Sequence, residues 1–152
     1  MDVVLVGDRH DSAKYVAYKE LACEEVGIAT HTHALGSDVS EAEVVTLVQR
    51  LASDERVNAI LVQLPLPHGI NVRRVLDAVP AHKDVDGLCS DNEVALFQGR
   101  RPRFVPCTAL VRCVVACCLG ATTPACATAM LPHSRHRCNM WCARLWRGWG
   151  GA

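Results

Sequence analysis

The sequence has no uninterrupted apolar run of the roughly 18–20 residues that a membrane-spanning helix requires, so no membrane partner is expected. Its opening segment, MDVVLVGDRHD, lacks both a basic leader and an apolar stretch of signal-peptide length, which argues against secretion. The nine cysteines are therefore expected to be free thiols in a reducing intracellular setting. No G-x-G-x-x-G motif occurs, so no phosphate-binding loop for a dinucleotide is predicted.

Acidic residues are missing from the last part of the chain. The 16 basic and 16 acidic side chains give a formal net charge of zero, which alone gives no reason to expect a nucleic-acid partner. All 16 acids lie within residues 1–93, together with eight Lys and Arg, whereas residues 94–152 contain eight Arg and no acid. Six of the cysteines and all three tryptophans also follow residue 112. Two unlike compositions share the chain.

Strand-like and helix-like patterns alternate along the chain, whose 152 residues allow one ordinary domain. In chain order, the predicted elements are a strand at Val3–Val6, a helix from Asp11 or Ser12 (the N-cap) to about Val26, a strand at Ile28–Leu35, a helix over about 41–52, a strand at Asn58–Leu64, a helix over about 71–79 and a polar loop over 82–92. Strand–helix units of this length imply right-handed crossovers. The predicted fold class is α/β, a three-layer parallel sheet with covering helices.

Local signals support these helices and suggest one more. The apolar stripe of the first helix is Val16, Leu21, Ala22 and Val26. Candidate N-caps for the second helix lie within Ser37–Ser40. Periodicity also predicts a helix over about 108–119, which would complete a domain of residues 1–119. Residues 120–152 are predicted to be an irregular or disordered tail with no recognisable fold.

Tyr15 and Lys19 lie four residues apart and therefore on one face of the first predicted helix. Parallel α/β sheets bind ligands beyond the carboxyl ends of their strands, and this helix begins at such an end. A lysine there could donate or accept a proton. The same pair is common on ordinary helices as a solvated lysine beside a half-buried tyrosine, and spacing alone favours that second interpretation.

Two further segments contain polar residues whose role the spacing leaves open. Gln63 lies within ILVQLPLP, where a buried amide needs a hydrogen-bonding partner in the core or on a ligand. The segment KDVDG, Lys83–Gly87, has two carboxylates that could hold a metal, recognise an amine-bearing ring or stabilise a turn. Taken in isolation, a turn is the simplest of the three.

In this order and at these spacings, the segments resemble the bifunctional methylenetetrahydrofolate dehydrogenase/cyclohydrolase family. The segments that carry the resemblance are VVLVGDRHDS, YVAYK, AILVQLPLPHGI, KDVDGL with Asn92, and FVPCT, over about Val3–Thr108. The resemblance implies oxidation of 5,10-methylenetetrahydrofolate with NAD or NADP, then hydrolysis of the methenyl product to 10-formyltetrahydrofolate. It also implies a cytoplasmic or mitochondrial homodimer.

Carried over residue by residue, the resemblance implies that Lys19 is the catalytic lysine and that Gln63 hydrogen-bonds and tunes it. Tyr15 would stack against the pterin-derived ring, and Asp86 would hold its amino-pyrimidine edge. The implied substrate-binding residues are Tyr15, Val62, Gln63, Leu64 and Asp86. A cationic methenyl-folate suits a lysine that is neutral part of the time, and a carboxylate suits paired N–H donors.

The chain departs from the family pattern around Thr108. The family's opening helix is absent, and so is the G-R-S-x-x-V-G-x-P phosphate loop of its Rossmann domain. The NAD(P) site is therefore expected to be missing, and dehydrogenation is expected to fail. The alternative to an enzyme is a non-catalytic folate-binding or dimer-interfering fragment.

The acid-free tail allows three explanations. An altered reading frame or a splicing error would change the composition abruptly without any folding logic, and this explanation is favoured. His133, His136, Cys138 and Cys142 are ligand types that suit zinc, but their spacing does not match paired Cys-x-x-Cys sites. The scattered arginines could contact nucleic acid, although no fold presents them. Neither a metal nor a nucleic-acid partner is therefore predicted.

Overall fold

The structure is a computed structural model that describes residues 1–107 of the chain. Its elements are β1 (Asp2–Val6), α1 (His10–Glu25), β2 (His31–Leu35), α2 (Glu41–Ser53), β3 (Ile60–Val62), α3 (Val72–Leu76) and α4 (Ser90–Phe97). Strands and helices alternate as far as α3, as the sequence predicts.

The strands of this part of the chain form one parallel sheet in the order β2-β1-β3. In its register, Asp2 of β1 pairs with His31 on one side and Ile60 on the other. Parallel neighbours require the chain to return along the sheet between strands, and α1 and α2 make these returns. The predicted α/β fold with a parallel sheet and covering helices is confirmed.

Alternate side chains of β1 pack on opposite faces of the sheet, which creates three layers. Val4 and Val6 belong to a cluster of twelve buried residues that includes the apolar faces of α2 and α3. Val3 packs on the other face with Val16 of α1 and Leu61 of β3. The main core therefore lies on the α2 side, and α1 covers the second face with fewer buried residues.

The start of α2 follows its local signals. Ser40, within the predicted range of caps, accepts a hydrogen bond from the Glu43 N–H at 3.3 Å and donates its own N–H to the Glu43 carboxylate at 2.9 Å. This reciprocal capping box satisfies two N–H groups that the helix itself cannot pair. The position of α2 could thus be predicted locally.

The start of α1 differs from its prediction. The helix begins at His10 with Arg9 as its N-cap, and no side-chain capping hydrogen bond is present. The prediction of Asp11 or Ser12 as the N-cap is therefore wrong. Ser12 lies inside the helix and is 4% exposed, because the first turns of α1 rest on the sheet.

The predicted apolar stripe of α1 is also largely wrong. Val16 is buried, but Leu21 is 58% and Val26 is 69% exposed, and Ala22 is exposed as well. The buried residues of α1 are Ser12 and Val16, which are four residues apart. Helical spacing of apolar residues did not identify this face, since one of its two buried residues is polar.

Other element boundaries shift from the predicted ones. The second strand begins at His31, and Ile28 before it is 47% exposed. The third strand is limited to Ile60–Val62, and α3 to Val72–Leu76 with Asn71 as its N-cap. The loop predicted over 82–92 is wrong at its end, because α4 begins at Ser90. The helix predicted over 108–119 and the tail over 120–152 lie outside the described residues.

Candidate active site

The two predicted catalytic side chains meet at the carboxyl edge of the sheet. Lys19 in α1 donates a hydrogen bond from Nζ to Oε1 of Gln63, over 3.1 Å. The helix that carries Lys19 follows β1, and Gln63 follows β3, which is the parallel neighbour of β1. Sheet topology thus brings together two residues that are 44 positions apart in sequence.

The amide of Gln63 is held in one orientation. Its main-chain N–H donates to the Val4 carbonyl at 2.9 Å, although Gln63 lies just after β3 rather than within it. Nε2 donates to the carbonyl of Leu64 at 2.7 Å, which leaves Oε1 as the acceptor for Lys19. Gln63 is therefore hydrogen-bonded within the protein, as the first alternative holds, and one of its partners is the candidate reactive lysine. A contact with a ligand stays a prediction.

Lys19 has unused hydrogen-bonding capacity. An ammonium group has three N–H donors, and Gln63 is its one hydrogen-bonding partner within residues 1–107. The side chain is only partly buried. The remaining donor directions are therefore available to a ligand.

The other implied substrate-binding residues differ in what they expose. Tyr15 is 63% exposed and lies one helical turn before Lys19, so an aromatic face is available beside the lysine. Leu64 is partly buried, and its carbonyl already accepts the Gln63 hydrogen bond. Val62 is 4% exposed and its side chain belongs to the core, so a contact with a ligand would use its main chain.

Asp86 lies close enough to Lys19 for their charges to interact. Burial raises the pKa of the Asp86 carboxyl above its ordinary value, the Lys19 charge opposes that shift, and the Asp84 charge adds to it. The side chain is partly buried in the turn after the bridge between Ile60 and Asp84. A proton-transfer candidate and a carboxylate acceptor thus share one edge of the sheet.

The remaining charged residues of KDVDG are structural. Lys83 is 8% exposed, and its Nζ donates to the carbonyls of Ala52 and Asp54, each at 2.8 Å, at the end of α2. Asp84 is 4% exposed and accepts from the Cys89 N–H at 2.9 Å. Its carbonyl accepts from the Gly87 N–H at 3.1 Å, which closes a turn around Asp86. The turn interpretation therefore fits Asp84, whereas Asp86 remains available to a ligand.

Sequence reasoning gave no role to Asn92, which is 2% exposed and hydrogen-bonded to Asp84. The signal that could have indicated a role for Asn92 was its place in the family pattern beside KDVDGL. No three His, Cys, Asp or Glu side chains within residues 1–107 come together as a metal site, and the candidate zinc ligands lie outside that range. None of the helices described is long and apolar enough to cross a membrane.

Comparison with known families gives one match over the first part of the chain. Residues 1–86 match the catalytic domain of tetrahydrofolate dehydrogenase/cyclohydrolase. The bifunctional protein FolD of Salinibacter ruber is 47% identical over 108 residues, which cover 71% of this chain and 36% of that protein. The chloroplastic bifunctional protein FolD 4 of Arabidopsis thaliana is 49% identical over 107 residues, covering 70% and 30%. The chain thus spans about a third of the length of these curated relatives.

Solved structures give the same match. The FolD methylenetetrahydrofolate dehydrogenase/cyclohydrolase of Campylobacter jejuni superposes with a TM-score of 0.73 at 37% identity, covering 79% of this chain and 43% of that one. The Trypanosoma brucei enzyme, solved with NADP cofactor and an inhibitor, gives a TM-score of 0.72 at 32% identity, covering 78% and 40%.

Proposed function

The chain belongs to the tetrahydrofolate dehydrogenase/cyclohydrolase family, and on that premise we propose that residues 1–107 bind a tetrahydrofolate and hydrolyse its 5,10-methenyl form. Lys19 is the proton-transfer group of this reaction, and Gln63 is its partner. The observation that carries the proposal is the hydrogen bond from Lys19 Nζ to Gln63 Oε1 at 3.1 Å. It aims a lysine with unused donors at the edge of the sheet where ligands of parallel α/β folds bind.

The hydrolysis consumes one water and involves three proton movements. Water adds to the cationic methenyl carbon and loses a proton to the neutral amine of Lys19. The bond from that carbon to N5 then breaks, N5 takes up a proton, and the hydroxyl proton leaves as the formyl group forms. The products are 10-formyltetrahydrofolate and one proton, so the charge balances. The lysine can accept the first proton and return it to N5, which is general acid–base catalysis.

Tyr15 and Asp86 supply the binding contacts of this proposal. The exposed ring of Tyr15 offers an apolar face on which the fused ring of the folate stacks. The Asp86 carboxylate accepts the paired N–H donors at the amino-pyrimidine edge, and such charge-assisted pairs are both strong and directional. Because the charges of Asp86 and Lys19 interact across this edge of the sheet, the proposal has both residues contact the same folate.

The dehydrogenase half of the family activity uses NAD or NADP, which supplies the hydride acceptor. Residues 1–107 contain no glycine-rich loop that fits the diphosphate of such a cofactor. The activity proposed for these residues is therefore the cyclohydrolase. Pairing of two copies remains a prediction that the family resemblance alone supports.

Lys19→Ala tests the proposal, with Lys14→Ala as the matched control on the same helix. Lys14 is exposed, and its Nζ lies 5.8 Å from the centre of the Tyr18 ring. We expect Lys19→Ala to slow methenyltetrahydrofolate hydrolysis by about 100-fold or more, the usual contribution of a general acid–base group, and Lys14→Ala to leave it unchanged. The measurement is the loss of methenyl absorbance above the uncatalysed rate.

Two outcomes would contradict the enzymatic proposal. Equal hydrolysis by Lys19→Ala and the unaltered chain would remove Lys19 from the mechanism. Tight folate binding by the unaltered chain without any hydrolysis would favour the alternative, a non-catalytic folate-binding fragment. Calorimetric titration with tetrahydrofolate separates the second outcome from a failure to bind.

A further inference from the structure

Asn92 is a buried amide with all of its hydrogen-bonding capacity in use. It is 2% exposed, and Nδ2 donates to Asp84 Oδ2 at 2.9 Å and to the Ala81 carbonyl at 3.2 Å. Its Oδ1 accepts from the N–H groups of Arg103 at 2.9 Å and Phe104 at 3.4 Å. One side chain of α4 thus joins the KDVDG turn to Arg103 and Phe104, which follow Asn92 by eleven and twelve residues.

Asp84, the partner of Asn92, is fixed from several directions. Its carboxylate also accepts from the Cys89 N–H at 2.9 Å, and its main chain bridges to Ile60 at the start of β3. The turn that contains Asp86 begins at Asp84, whose carbonyl accepts from the Gly87 N–H. The hydrogen bonds of Asp84 therefore fix the residue from which the turn that carries Asp86 starts.

Residues 104–106 pack directly against the other end of this turn. A Cβ on Gly87 would lie 2.9 Å from the Phe104 carbonyl oxygen and 3.0 Å from the nitrogen of Pro106. Gly87 also has a φ of +67°, a conformation that residues with a Cβ rarely adopt. The segment that Asn92 holds is thus in contact with the residue next to Asp86.

We propose that Asn92 is a positioning residue that orients Asp86, acting through Asp84 on one side and through residues 103–106 on the other. The inference rests on the proposed folate function, since Asp86 is the carboxylate that holds the ring edge. Asn92 itself is too deeply buried to touch a ligand. Its contribution is therefore to affinity through Asp86, and the chemistry at Lys19 is unaffected by it.

The test is a double-mutant cycle of Asn92→Ser with Asp86→Ala in the full chain. We expect Asn92→Ser to raise KM for methenyltetrahydrofolate about 10-fold with kcat within about 2-fold, the effect of losing well-formed hydrogen bonds on one positioned group. In the Asp86→Ala background the same substitution should change KM by less than about 2-fold, because the group it positions is gone. A merely structural role would raise KM, or lower kcat, by the same factor in both backgrounds, and that result would overturn the inference.

A second variant perturbs the same turn from its other end. Gly87→Ala places a Cβ 2.9 Å from the Phe104 carbonyl oxygen, and it should raise KM in the Asp86 background only. Far-ultraviolet circular dichroism reports the fold of each variant. An unaltered chain that neither binds nor hydrolyses the folate overturns the proposed function together with this inference. Normal activity of the unaltered chain with no KM change in either variant overturns the inference alone.

Discussion

Lys83 is buried and Lys19 is partly buried, and their ammonium groups meet different surroundings. Lys83 Nζ donates to the carbonyls of Ala52 and Asp54, each at 2.8 Å, with the Leu51 carbonyl at 3.5 Å. Its three donors are therefore occupied. Lys19 Nζ donates to Gln63 alone within residues 1–107, which leaves directions free for a ligand. The difference separates a lysine that completes the fold from one that can react.

The partners of the two lysines explain why each residue is tolerated where it lies. Lys83 faces the carbonyl end of α2, where the helix dipole favours a cation. That environment supplies the ammonium group with fixed acceptors. The hydrogen bonds from Arg56 lower the pKa of Asp54 to about 2, and the Lys83 charge adds a smaller contribution. Lys19 faces a neutral amide at the sheet edge and the carboxylate of Asp86 nearby. Its surroundings are incomplete until a ligand arrives.

Replacing Lys83 should have the largest effect on stability. Lys83→Met keeps most of the buried length but leaves carbonyls at the end of α2 without their charged donor, at a cost of about 2–4 kcal/mol in the free energy of unfolding. Lys19→Met should change that free energy by less than about 0.5 kcal/mol, since its side chain is partly exposed and has one partner. Urea unfolding followed by circular dichroism measures both. Equal losses in the two variants would remove the distinction between the lysines.

The buried residues Lys83 and Asp84 lie near Cys89, whose thiol should make the free energy of unfolding depend on alkaline pH. This thiol is 3% exposed, and burial raises its pKa from 9.0 to about 11. Below pH 9 the thiol is neutral in both the folded and unfolded chain, so its full stabilisation is present. Between pH 9 and 11 the unfolded chain loses the proton first, so the free energy of unfolding falls, by about 1–2 kcal/mol.

Cys89→Ala isolates this contribution, because other groups titrate in the same range. The difference in unfolding free energy between the variant and the unaltered chain should shrink as pH rises from 9 to 11. Cys107, which is exposed, provides the control in Cys107→Ala, whose difference should not depend on pH. A pH-independent difference for Cys89→Ala would mean that its thiol is not protected by the fold.

The surroundings of Lys19 and of Lys83 could be predicted from the sequence to different extents. Lys19 and Gln63 were predicted because their segments match a family pattern and because parallel topology places strand ends together. The turn at Asp84 was among the sequence-based alternatives, whereas the role of Lys83 could not be predicted, since it depends on which helix end lies against the loop. One local feature was consistent with the Lys83 contact. The helix α2 ends at Ser53 and Asp54 without the glycine that commonly caps a helix, so its last carbonyls need donors from another segment.

The helix α4 was not predicted for the same reason, since the groups that stabilise its start come from other segments. Its N-cap residue, Cys89, makes no side-chain capping hydrogen bond, and the local start signal is limited to Asp91 and Glu93 in the first turn. The Asp84 carboxylate accepts the Cys89 N–H instead, and the Asp77 carboxylate accepts the Ser90 N–H at 2.8 Å. These acceptors come from other parts of the chain. Local propensity therefore predicted α2, which caps itself, and failed for α4, which other segments cap.

Gln63→Leu is the smallest of these changes, and it tests whether Lys19 depends on its one partner. The substitution keeps a similar volume and removes the Oε1 acceptor, so Nζ loses the hydrogen bond that orients it. We expect kcat for methenyltetrahydrofolate hydrolysis to fall about 10-fold, as for the loss of one hydrogen bond to a charged group. Gln49→Leu, at an exposed position of α2, should leave kcat unchanged. If Gln63→Leu also leaves kcat unchanged, Lys19 is held by the helix alone. Its open surroundings would then arise from where α1 places it, and Gln63 would serve only to close the end of β3.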